Sequence, residues 1–217
     1  MENRKKIMKI ISLFGVMGVV FYFMHIIFGR IFYEAYNPFS QAISDLTAEN
    51  SPSRNIAFMF SFIYGVFNVI FCICFCLYFR GKINKIITIG SYTFCIMNII
   101  SFLGYTFFPL SQEGYAHTFQ DKMHLIVTVF VVVLTITSIA QYSIGFLKSK
   151  ELKILGIISI CTFLLLVTGA MLINILPREY FGIGQRINVY SIITYTGILS
   201  VWMFKYVNKN GVRPTFT

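Results

Sequence analysis

Three side chains in the interval 108–124 are spaced for chemistry: His117, Asp121 and His124. If a helix begins near Tyr115, their separations put all three on one face. Two imidazoles and a carboxylate make a first shell for zinc, and Asp45, from another polar interval, would supply a fourth ligand. A zinc-bound water could then attack an ester or amide of a lipid or peptide at the membrane interface, with Ser40 or Ser44 nearby to polarise the carbonyl. The competing reading is structural. Thr118 caps the helix, Asp121 three residues on completes a capping-box-like start, and the two histidines keep an apolar body and a wet tip at the interface.

Other polar residues are expected at the same depth. His25 lies near one end of the first apolar run and Asn174 near the matching end of the fifth; Glu179 and Arg186 follow in a segment with two glycines suited to a tight re-entry. Ionisable groups at membrane depth pair or face a cavity, so a polar site is expected from Ser44, Asp45, His117, Asp121, His124, Glu179 and Arg186. The alternative is a structural lid, for example with Asp45 paired to Arg186. Asn68, Asn98 and Gln141 read as hydrogen-bonding glue between helices. No carboxylate falls inside an apolar run, which argues against a proton-coupled transporter.

Apolar helices must position these groups. Of 217 residues, 57% are hydrophobic, 18% aromatic and only 12% charged, with a mean hydropathy of +0.74. A soluble domain carries roughly twice that share of charge, so the class is an integral membrane protein. A span needs about 20 apolar residues. Six runs meet that length, at about 10–28, 55–78, 83–108, 123–146, 154–176 and 187–204. The first run has no small-x-small cleavage site after it and reads as a retained helix. With no internal repeat and no linker, the chain reads as one all-α bundle over 1–217.

Basic residues orient it. Of 18 lysines and arginines, only Arg30, Arg54, Lys122, Arg178 and Arg186 fall on the side opposite the N-terminus. The positive-inside rule then puts both termini in the cytoplasm. The net charge of +10 is thus topology and no sign of nucleic acid. Cys72, Cys74, Cys76, Cys95 and Cys161 all lie in apolar runs, as reduced core residues. The longest polar interval, 37–55, contains Asn37-Pro38 and Ser51-Pro52, both N-cap-plus-proline helix starts. From Pro38, Phe39, Ile43 and Leu46 share a face, which predicts a short amphipathic helix at the membrane surface.

Ile43-Ser44-Asp45-Leu46, the following Pro52, Asn55 leading into an aromatic helix, Phe108-Pro109, a histidine opening the fourth helix and Gly184-Gln185-Arg186 together resemble a known family. It is that of prokaryotic six-helix membrane proteins catalogued as domain of unknown function 998, and the likeness covers nearly the whole chain. Thr47 and Gln185 stand where the family often has a glycine and an acid. The Ile-Ser-Asp with its proline is also similar to the DRAM/Frag-like six-helix proteins, which implies shared architecture only. The resemblance implies the fold and no activity. The expected function is binding of a membrane lipid or a partner through the outer polar site; a metal-dependent interfacial hydrolase is the alternative, and a small-molecule transporter the third reading.

Overall fold

A computed structural model describes residues 2–81, 83–112 and 117–210. Lys82, Glu113, Tyr115 and Arg213, which enter the sequence reading, lie outside the described residues. The regular structure among them is helical: α1 (Glu2–Ser12), α2 (Phe14–Ile31), α3 (Arg54–Phe79), α4 (Lys85–Phe107), α5 (Phe119–Leu147), α6 (Lys153–Ile175) and α7 (Phe181–Asn210). With α1 and α2 taken together, six helices are long and apolar enough to cross a membrane. The helices run past the expected spans at several ends because backbone hydrogen bonding continues into the polar flanks, where Glu2, Lys122 and Asn210 are still helical.

Consecutive helices pack side by side, and α7 closes a ring against α2. One hydroxyl takes part in the closure. At Leu13 the helix breaks, and Ser200 of α7 enters the gap: its Oγ accepts from Val16 N at 3.0 Å and donates to the Ser12 carbonyl. Gly15 permits this approach, because a Cβ there would lie 2.6 Å from Ser200 Cβ.

The ring interior has two unlike halves. Toward the termini, one apolar cluster fills it, with Phe71, Phe75, Phe79, Tyr142, Phe146, Tyr195 and Met203 at most 3% exposed. Cys72, Cys76 and Cys95 are buried in that cluster as free thiols. Toward the other end two smaller buried clusters take over, Tyr22, Ile43 and Ile193 in one and Tyr33, Tyr36, Leu46 and Ala57 in the other, while midway along α3 and α4 Asn68 donates to Asn98.

Segment 37–53 forms a strap across that end. It is less helical than its pattern predicts: the only helix in it is the 3-10 turn Ile43–Thr47. Asn37 caps a single turn: its Oδ1 accepts from Phe39 N at 3.0 Å and its carbonyl accepts from Gln41 N at 2.9 Å. Ala42 is extended, with ψ 154°, which interrupts any helix from Pro38. The apolar pattern still chooses what is covered. Ile43 and Leu46 are buried and Phe39 is exposed. Ser51 starts the turn that leads into α3: its Oγ accepts from Ser53 N at 3.4 Å and its carbonyl from Arg54 N, while Ser53 Oγ donates to the Leu46 carbonyl at 2.8 Å, folding the strap onto the start of α3.

Candidate functional site

The predicted residues fall into two hydrogen-bonded groups at the strap end. In the first, Ala42 N donates to Asp45 Oδ2 at 3.0 Å, so the buried Asp45 carboxylate stiffens the strap. Tyr36 donates its hydroxyl hydrogen to the Ala42 carbonyl at 2.8 Å. Arg186, in the second turn of α7, reaches into the same segment. Its Nη1 donates to the carbonyls of Gln41 at 2.9 Å and Gly182 at 3.1 Å, and its Nη2 donates to the Tyr36 hydroxyl. The guanidinium also lies 5.6 Å from the Tyr36 ring centroid. Burial pushes the Tyr36 phenol up to about 12, against the downward pull of Arg186, so it stays a neutral donor at physiological pH.

Two further bonds complete this attachment. Ile43 N donates to Gln185 Oε1 at 2.9 Å, and Gly182 N donates to the Phe39 carbonyl at 2.7 Å. Gly182 must lack a side chain, since a Cβ would lie 2.8 Å from Phe39 O and closer still to Pro38 O. Arg186 therefore clamps strap to helix through carbonyls and a phenol. Gln185, Gln41 and Tyr36 belong to this clamp although their types alone do not announce it. Position 185 was visible only as a departure from the family pattern.

The second group surrounds Asp121. Thr118 caps α5: its Oγ1 accepts from Asp121 N at 3.1 Å, and Asp121 Oδ2 accepts from Thr118 N at 3.2 Å. Asp121 Oδ1 also accepts from Ser111 N at 2.8 Å, and the Ser111 hydroxyl donates to the carboxylate at 3.0 Å. These donors let a fully buried carboxylate persist. His124 Nδ1 lies 2.8 Å from the Phe108 carbonyl, so it carries the proton and donates, and its ring packs 4.8 Å from that of Tyr105. The histidine thereby ties the end of α4 to the start of α5.

The shared face expected for three residues reduces to two. Because Thr118 is the cap, His117 precedes the helix, and its φ of 63° is left-handed backbone that no α-helical residue adopts. Among the described residues, no group of three His, Cys, Asp or Glu side chains is placed to hold a metal. Ser44 lies in the 3-10 turn, where its carbonyl accepts from Thr47 Oγ1 at 3.0 Å. Glu179 is exposed in the separate turn Arg178–Tyr180.

The strap joins the two groups. Glu49 N donates to the Leu110 carbonyl at 2.8 Å and Gln120 Nε2 donates to Glu49 Oε1 at 2.9 Å, while Arg54 lies 3.9 Å from the same carboxylate. The assembly can hold a cover over the ring. The Asp45 and Asp121 carboxylates accept from backbone amides and the Ser111 hydroxyl, Glu49 accepts from Gln120, and Arg186 donates to two carbonyls and a phenol.

No curated protein and no solved structure matches the chain. One family model, described as "Protein of unknown function (DUF998)", matches residues 16–202, which include the strap, Asp121, the clamp at Arg186 and all six apolar helices in whole or large part. The chain is a multi-pass membrane protein and belongs to the DUF998 family.

Proposed function

We propose that this protein binds a membrane lipid without transforming it, in a prokaryotic cytoplasmic membrane, with the strap on the outer face and both termini in the cytoplasm. One observation carries the reading. The polar groups that could have formed a reaction centre instead hold the strap over a partly polar interior, with Arg186 on Gln41 and Tyr36, Asp45 on Ala42, and Asp121 on Ser111 and Thr118. A cover anchored at both margins suits a protein that retains a ligand. The basic residues at the terminal side support the orientation.

The test is the lipid content of protein purified in mild detergent, beside an unrelated six-helix protein from the same membrane and the strap-loosened Arg186→Ala. Lipid enriched in the wild type and depleted in the variant is the expected result. Lipid no different from the control protein overturns the reading. Metal analysis of the same samples decides the hydrolase alternative, which needs near-stoichiometric zinc that His124→Ala removes.

A further inference from the structure

At the end of the ring that carries both termini, a cavity of about 420 Å³ opens between the start of α4 and the turn joining α5 to α6. Sites for small ligands run from about 300 to 1,000 Å³, so the space is large enough to matter. Its floor is apolar: Ile87 and Leu152 are at most 3% exposed. Its rim is polar, with Asn84, Lys148 and Lys150 exposed and Ser149 half-buried. Glu151 adds one negative charge to the wall.

Backbone contacts set the shape of this cavity. Asn84 Oδ1 accepts from Ile87 N at 3.0 Å and its Nδ2 donates to the Gly145 carbonyl at 2.8 Å, pinning the start of α4 to the end of α5. Gly145 admits that approach, because a Cβ there would lie 3.0 Å from Ile87 N. Across the turn, Ser149 N donates to the Phe146 carbonyl and Leu152 N to the Ser149 carbonyl, each at 3.1 Å. Gly156 brings the first turn of α6 against α5, where a Cβ would lie 2.9 Å from Leu147 N. The walls are in place without a ligand.

The donors at the rim are uncommitted. Among the described residues, neither Lys148 nor Lys150 makes a hydrogen bond or an ion pair, Glu151 included, and the Ser149 hydroxyl has no partner. Topology asks only that lysines lie on this side of the membrane, as the exposed Lys205 and Lys209 do on α7. It does not ask that two of them line a preformed cavity.

The donor set selects the ligand. Helices α4 and α6 both begin here, so their positive ends add to the two ammonium charges. The opposing carbonyls at the end of α5, Gly145 and Phe146, are already taken by Asn84 and Ser149. A planar carboxylate is best met by the rigid fork of an arginine, whereas lysines on flexible stems and a hydroxyl suit the separated oxygens of a phosphate.

We propose that this cavity binds a phosphate group, held by Lys148 and Lys150 with the Ser149 hydroxyl donating. The group belongs to the head of a phospholipid in the adjoining leaflet or to a soluble molecule on that side. The site is separate from the strap and does not rest on the lipid reading above.

The full chain in dodecyl maltoside, a phosphate-free detergent, is titrated with inorganic phosphate, followed by phosphorus NMR line width. It is titrated separately with dioleoyl-phosphatidylglycerol, followed by native mass spectrometry. Wild type is compared with Lys148→Gln/Lys150→Gln, with Ser149→Phe, which fills the cavity and keeps both lysines, and with Lys205→Gln/Lys209→Gln, which removes the same charge elsewhere on that side. The first two variants are expected to lose at least tenfold in affinity and the α7 pair less than twofold. Thermal unfolding should not move in either lysine pair, whose side chains are exposed. A loss confined to phosphatidylglycerol assigns the lipid source, a loss confined to inorganic phosphate the soluble one, and loss of both the phosphate group itself. Binding of neither probe, binding that survives the first two variants, or an equal loss in the α7 pair overturns the site. Arg186→Ala, which loosens the strap, should leave this binding unchanged, so the two proposals fail separately.

Discussion

Arg186 Nη1 donates to the Gln41 carbonyl at 2.9 Å, joining the last helix to a segment that precedes it by 145 residues. A lysine keeps the charge and loses the planar fork that reaches this carbonyl and the Tyr36 hydroxyl together. Arg186→Lys is expected to cost about 2 kcal/mol, the usual scale for a hydrogen bond to a charged group. Chemical unfolding in detergent measures it, and limited proteolysis should cut first within 37–53.

Two glycine substitutions should move stability in opposite directions. Gly182→Ala forces a methyl against the Pro38 and Phe39 carbonyls, which are backbone atoms and cannot rotate away. Gly18→Ala meets its nearest neighbour, the Tyr64 ring, at an ordinary 3.6 Å, and should gain about 0.5–1 kcal/mol from helix propensity. Thermal unfolding of the two variants side by side checks the contrast.

Removing the Asp121 carboxylate strands the amides of Ser111 and Thr118. Asp121→Ala is expected to lose about 2–3 kcal/mol, and Thr118→Ala about 1 kcal/mol as a lost cap. Chemical unfolding of the two variants in detergent measures both losses, and an unchanged Asp121→Ala would overturn the anchoring role of its carboxylate.

Topology has a direct assay. Phe39 is an exposed position of the strap, and Lys209 is exposed near the end of α7. In a Cys161→Ser background, Phe39→Cys should react with a membrane-impermeant maleimide on intact cells. Lys209→Cys should react only after the membrane is opened. The reverse pattern would invert the proposed orientation.

The long apolar runs were legible because a helix in lipid needs length and little else, and all six appear where the runs are. The strap was harder. Its buried residues, Ile43 and Leu46, follow from the pattern, but the end of the Asn37 turn at extended Ala42 depends on competing bonds, Ala42 N to Asp45 and Ile43 N to the distant Gln185. His117 shows the same competition. Four-residue spacing to Asp121 suggests a shared face, yet Thr118 takes the cap and places His117 before the helix. The clamp was least visible, because Gln185 and Gly182 matter through atoms distant in sequence. The unpartnered nitrogens of His25 are a property of packing, which spacing along one helix does not encode.

The Ser200 hydroxyl that repairs the helix break beside Leu13 also sets an order of assembly. Ser12 and Val16 emerge from the ribosome first, and their partner lies near the end of the chain. Until α7 has been inserted, the ring stays open, the strap lacks its clamp, and the polar atoms of α2 and α3 face lipid or whatever shields them. Contacts of such long separation form late because the intervening chain must first be closed into a loop. A nascent chain stalled before Ser200 is therefore a membrane protein with one seam unsealed, a natural substrate for insertion chaperones and membrane proteases.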